Sequence, residues 1–136
     1  EDGLSFIRAD ERRMRQVLIN LLANAVKFTP PGGHIGLAMR RTQKGLLIEV
    51  SDTGIGIPAD KIDLAMEPFS QVEADINRSY QGTGLGLPLA KRLVELHGGT
   101  LSLRSQVNSG TVVSIILPPD RVVDDPDMLF AVKAAG

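Results

Sequence analysis

The chain has no cysteine, which excludes a disulfide framework, a thiolate metal site and a cysteine nucleophile, and points towards a reducing compartment. It has no excess of charge of either sign. With 15 basic residues against 16 acidic ones, the concentrated positive charge of a nucleic-acid binder is missing. No apolar run approaches the roughly 20 residues needed to span a bilayer, and the opening "EDGLSFIRAD" lacks the basic start and apolar middle of a signal peptide. The chain is therefore expected to be a soluble, cytoplasmic domain, and its acidic start is compatible with a piece of a larger, membrane-anchored protein. A Walker P-loop, GxxxxGK(S/T), is also absent. What is present is 136 residues, 43% of them hydrophobic, enough for one domain with a two-layer core.

Residues 10–28 place Met14, Val17, Leu18, Leu21, Leu22 and Ala25 at intervals of three and four. That is the period of an amphipathic helix, with Asp10 as its N-cap and "TPPGG" as its end. "HIGLAMRRT" carries Ile35, Leu37 and Met39 on one face, and with "LLIEVSD" beyond the turn "QKG" it predicts an antiparallel hairpin. A short helix near 59–66 precedes a long polar stretch, "EPFSQVEADINRSYQGTG", with neither helical nor strand period. Such loops inside a domain are usually functional or mobile. Residues 87–97 predict another amphipathic helix, closed by Gly98 and Gly99. A last hairpin turns at "VNSG", and "PDRVVDDPDMLFAVKAAG" forms a tail broken by proline and acidic residues. With strands adjacent to strands, the order predicts an α+β fold: a two-layer sandwich whose mixed, mostly antiparallel sheet is covered on one face by about three helices.

"DTGIGIP" at 52–58 mimics a dinucleotide fingerprint, with Gly54, Gly56 and Ala59 between strand and helix. A dinucleotide fold needs a second parallel strand ending in an acidic residue about 20 residues later. The polar loop lies there instead. A second glycine run, "GTGLG" at 82–86, stands immediately before a helix, where free amides and the positive end of the helix dipole attract phosphate. On the first helix, Asn20, Asn24 and Lys27 fall within about 60° of one another beside the apolar stripe. Amide oxygens are hard ligands suited to Mg²⁺, and an ammonium reaches phosphate. The alternative is a solvated helix face with Lys27 snorkelling.

Together these segments resemble the ATP-binding catalytic domain of sensor histidine kinases, in the GHKL superfamily with the Bergerat fold. From about residue 4 to 118, "NLLANAVKFTPPGG" looks like the N box, "DTGIGIP" the first G box, "EPFSQV" the F box, and "GTGLGL" with "LVELHGG" the second G box. Each motif alone is common; their order and separation are specific. The resemblance implies domain limits of 1–119, an ATP lid at about 67–85, and a tail at 120–136. It implies that Asn24 binds Mg²⁺ bridging the ATP phosphates with Asn20 assisting, that Lys27 meets phosphate and that Phe28 lies beside adenine. Asp52 would accept the adenine amino group, with Gly54, Gly56 and Ile57 lining the nucleotide. Phe69 would anchor the lid, and Gly82, Thr83, Gly84, Leu85 and Gly86 would close over the phosphates. Thr111 would join the adenine pocket through water. Gln71 stands where many relatives carry arginine, so Arg78 would serve the γ-phosphate from the lid.

The first helix also separates branches of the superfamily. Hydrolytic members carry a glutamate one turn before the magnesium asparagine; here that position is Asn20, an amide that cannot act as a general base. Transfer to a histidine survives this change, because neutral imidazole already carries a nucleophilic lone pair. His34 and His97 lack the acidic neighbour of family acceptors. His97 is instead placed to face the last carbonyls of its helix. The acceptor would then lie on an upstream helical dimerisation domain of a homodimer, and a response regulator receiver domain would be the downstream partner. The alternative is a nucleotide-gated interaction module that binds ATP and signals without transfer; a serine kinase of the anti-sigma type is disfavoured by the glycine motifs.

Overall fold

The computed structural model describes residues 6–66 and 86–123. The first helix, α1 (Glu11–Phe28), begins where Asp10 accepts the Arg13 backbone N–H at 3.1 Å, answering one of the donors a helix start leaves unpaired. The same N–H holds the Asp10 carboxyl below its ordinary value. Met14, Val17, Leu21 and Ala25 form its buried stripe.

Two hairpins follow the expected plan. β2 (Ile35–Thr42) pairs with β3 (Gly45–Asp52), and β4 (Thr100–Gln106) with β5 (Gly110–Leu117). They join edge to edge in the order β2-β3-β5-β4, and every pairing among the described residues is antiparallel. Between the hairpins lie a single 3-10 turn (Ala59–Lys61), the four-residue α2 (Ile62–Ala65) and α3 (Gly86–Leu96). At the base, β1 (Phe6–Ile7) pairs with β6 (Val122–Val123), the last described residues.

The register sorts side chains into rows. On the face covered by the helices, Leu37, Val50, Val113 and Leu103 lie opposite one another, and Met39, Ile48, Ile115 and Leu101 form the next row. Ile115 and Leu117 are fully buried; each is worth about 1.5–3 kcal/mol of apolar transfer. Ile35, Leu37 and Met39 share a face as expected, yet they stay exposed. The reason is positional: α1 packs on β3 and α3 on β4, which leaves β2 overhanging at the edge. The final row, Ile35–Asp52–Thr111–Ser105, turns polar. It ends the hydrophobic face beside the glycine turn.

α1 and α3 run antiparallel. Buried His97, just past α3, accepts the Asp10 backbone N–H at Nε2 (3.1 Å) and lies 2.8 Å through Nδ1 from the Leu93 carbonyl. An amide only donates and a carbonyl only accepts, so both bonds form together when the proton sits on Nδ1. His97 thus faces a late carbonyl of its own helix, as expected, and also fastens that helix to the start of α1.

Candidate functional site

The opposite ends of the two helices come together differently. A side chain built on Gly86, the first residue of α3, would approach the Asn24 amide nitrogen to 3.0 Å. Glycine therefore lets the start of α3 lie against the Asn24 amide. Asn20 lies one turn earlier, and its amide oxygen accepts the Gln16 side-chain N–H at 2.7 Å. Lys27 sits with its ammonium 5.6 Å from the Phe28 ring centroid, a cation–π distance. Asn24 thus lies beside the beginning of α3, with Asn20 one turn before it and Lys27 three residues after it on α1.

Asp52 closes β3 half-buried. Its Oδ1 accepts the Gly54 backbone N–H at 2.8 Å, which fixes the carboxylate, while Oδ2 makes no hydrogen bond among the described residues. A β-carbon on Gly54 would strike the Phe28 carbonyl oxygen, and Ile55 N–H donates to that carbonyl at 3.1 Å. Gly56 has φ +75° and lies against the Gln106 and Val107 backbone. Both glycines are thus demanded by the protein's own chain: one holds the loop to the end of α1, the other to the β4–β5 turn. That loop is further tied by Asn108 N–H to the Ile55 carbonyl (2.8 Å) and by Ile57 N–H to Ser105 Oγ (2.7 Å). Thr111 stands opposite Asp52 in register, and its hydroxyl lies 2.7 Å from Ser105 Oγ.

Ser105 escaped the sequence reading. Its signal was available: Leu101, Leu103 and Ser105 share the inward face of β4, so a polar residue at the third inward position marks where the core gives way to a site. The remaining expected site residues, Phe69, Arg78, Gly82, Thr83, Gly84 and Leu85, with the lid at 67–85, lie outside the described residues. Among the described residues no three His, Asp or Glu side chains gather into a metal cluster. A divalent ion here would depend on amide oxygen and phosphate.

Residues 9–121 match the family of histidine kinase-, DNA gyrase B-, and HSP90-like ATPases. The chain belongs to this family. Within it, the chain is a catalytic ATP-binding domain of the sensor histidine kinase kind. It is 49% identical over 114 residues to an uncharacterized sensor-like histidine kinase of Rhizobium meliloti, covering 84% of this chain and 22% of that one. It is 46% identical over 117 residues to the circadian input-output histidine kinase CikA of Synechococcus elongatus, covering 86% and 16%. The chain therefore spans less than a quarter of these relatives' length. Among solved structures, the mycobacterial sensor histidine kinase MprB superposes with a TM-score of 0.71 at 33% identity, covering 82% of this chain and 76% of that one. Full-length ShkA in complex with AMPPNP gives 0.74 at 31% identity, covering 91% and 24%. The α+β fold of this histidine kinase domain matches those neighbours. No helix among the described residues is long and apolar enough to cross a membrane.

Proposed function

We propose that this domain binds Mg²⁺-ATP between α1 and α3 and transfers the γ-phosphoryl group to a histidine on an upstream helical dimerisation domain, within a homodimeric two-component kinase. The observation that carries the reading is the pairing of two half-sites: Asp52 fixed by Gly54 at the sheet end, and Asn24 against the first residue of α3. Asp52 Oδ2, unengaged among the described residues, accepts the adenine amino group, with Ile57 and Thr111 beside it. Asn24 offers its amide oxygen to magnesium and Asn20 assists from one turn earlier. Lys27 and the amides at the start of α3 meet phosphate, and Phe28 flanks the base. The donor set suits the ion, since Mg²⁺ accepts few protein oxygens and fills its shell with phosphate and water. When bound, the ion neutralises charge on the phosphates.

In this reading the segment 67–85 serves as the lid, with Phe69 assigned as its anchor, Arg78 to the γ-phosphate and Gly82, Thr83, Gly84 and Leu85 to the phosphates. Catalysis is positioning with charge neutralisation. The Asn20 amide cannot act as a general base to activate water, so the site favours an imidazole nucleophile over hydrolysis. The phosphoryl group then passes to a response regulator receiver domain.

Mixing the chain with its helical partner domain and γ-labelled ATP should yield an acid-labile phosphohistidine. Tight ATP binding without transfer would move the assignment to a nucleotide-gated module. For the site itself, Asp52→Ala should lower ATP affinity by more than about tenfold, a loss of over 1.4 kcal/mol, while circular dichroism stays unchanged.

A further inference from the structure

We infer that Ser105 is a positioning residue that sets the base specificity of the site, by fixing the direction in which the Thr111 hydroxyl points its proton. The inference rests on the reading of Asp52 as the base-recognising group.

Ser105 Oγ has three polar neighbours: the Ile57 backbone N–H at 2.7 Å, Thr111 Oγ1 at 2.7 Å and the Gly110 carbonyl at 3.1 Å. A hydroxyl carries one proton and two lone pairs. Ile57 N–H can only donate, so it occupies one lone pair. The Gly110 carbonyl can only accept, so it takes the Ser105 proton. The remaining contact is satisfied only if Thr111 donates its proton into the second Ser105 lone pair. Thr111 then shows nothing but lone pairs towards the cleft.

Asp52, directly across β3 and β5 from Thr111, is likewise an acceptor as a carboxylate. The end row of the sheet therefore presents two neighbouring acceptors. This arrangement selects a base by its exocyclic group: the amino group of adenine offers two protons, whereas the keto oxygen of guanine offers none and would cover these half-buried acceptors without pairing them. Sites built around hydrogen bonds reject the analogue lacking them strongly. Without Ser105, the Thr111 hydroxyl is free to rotate and donate, and the pair ceases to be acceptor-only.

The test is calorimetric titration of the chain and its variants with ATP and with GTP, alongside thermal unfolding. Ser105→Ala should lower the ratio of ATP to GTP affinity by about tenfold, and Ser105→Thr, which keeps the hydroxyl, should restore it. Thr111→Val should lower the same ratio, and Ser105→Ala added to Thr111→Val should change it no further. Ser105→Ala that weakens both nucleotides equally, or that shifts the ratio as much in the Thr111→Val background, overturns the inference and leaves Ser105 a loop tie. If Ser105→Ala loses its fold, an unchanged ratio in Thr111→Val overturns it independently. Asp52→Ala that binds ATP as tightly as the parent overturns the site reading itself, a result distinct from any Ser105 outcome.

Discussion

The two ends of the α1–α3 pair are built on opposite principles. At one end His97 is buried and uses both ring nitrogens to join the start of α1 to the last turn of α3. At the other end Asn24 meets Gly86, a residue with no side chain, and the sheet's inward face ends in a polar row of Asp52, Thr111 and Ser105. The closed end spends both His97 ring nitrogens on backbone groups of the protein itself. The open end keeps Asp52 Oδ2 without a hydrogen bond among the described residues. A half-buried carboxylate oxygen tolerates that state when solvent or a ligand supplies the donor. Stability and recognition are therefore separated along one helix pair, and substitutions should fall into two classes.

The largest effect should come from the row that supports both ends. Ile115→Ala removes a fully buried side chain and should cost about 2–5 kcal/mol in urea unfolding, lowering ATP binding only through loss of folded protein. His97→Ala should cost about 1–3 kcal/mol, because the Asp10 amide loses its acceptor; a nucleotide affinity that fell as steeply as stability would break the division between the ends. Asn24→Ala should do the reverse, changing stability by less than about 0.5 kcal/mol while ATP affinity falls about tenfold.

The smallest effect concerns the Asp10 cap. The Arg13 N–H lowers its carboxyl from the ordinary value, so its contribution is present above the unfolded value and is lost as pH falls through the folded one. Replacing Asp10 by Asn keeps an N-cap without that titration. The stability difference between the two proteins should therefore narrow on acidification below the ordinary aspartate value, about 3.9. A difference that stays constant across that range would remove Asp10 from the closed end.

Much of the frame was legible because it is local. The cap at Asp10, the stripe of Met14, Val17, Leu21 and Ala25, and the two hairpins follow from spacing and turn residues. Asn24 stood out on a helix face beside the apolar stripe, whereas Asp52 and Thr111 were marked by the resemblance to the family. Ser105 did not, since serine in a strand is ordinary until the register shows what faces it. The roles of Gly54 and Gly56 were likewise only half visible: their need for freedom could be read, but the partners that require it, Phe28 and Gln106, are distant in sequence. The exposure of Ile35, Leu37 and Met39 also depended on where α1 came to rest.

The sequence by itself determined the elements, their order and the chemical inventory of the site, because periodicity, capping and motif spacing act within a few residues. Only the tertiary structure decided which of those groups meet. Strand order β2-β3-β5-β4 brings Asp52, Thr111 and Ser105 into one row, and antiparallel helix packing sets Asn24 against Gly86 and His97 against Asp10. A hydrogen bond's direction is fixed by all of its partners together, and those partners come from separate stretches of chain.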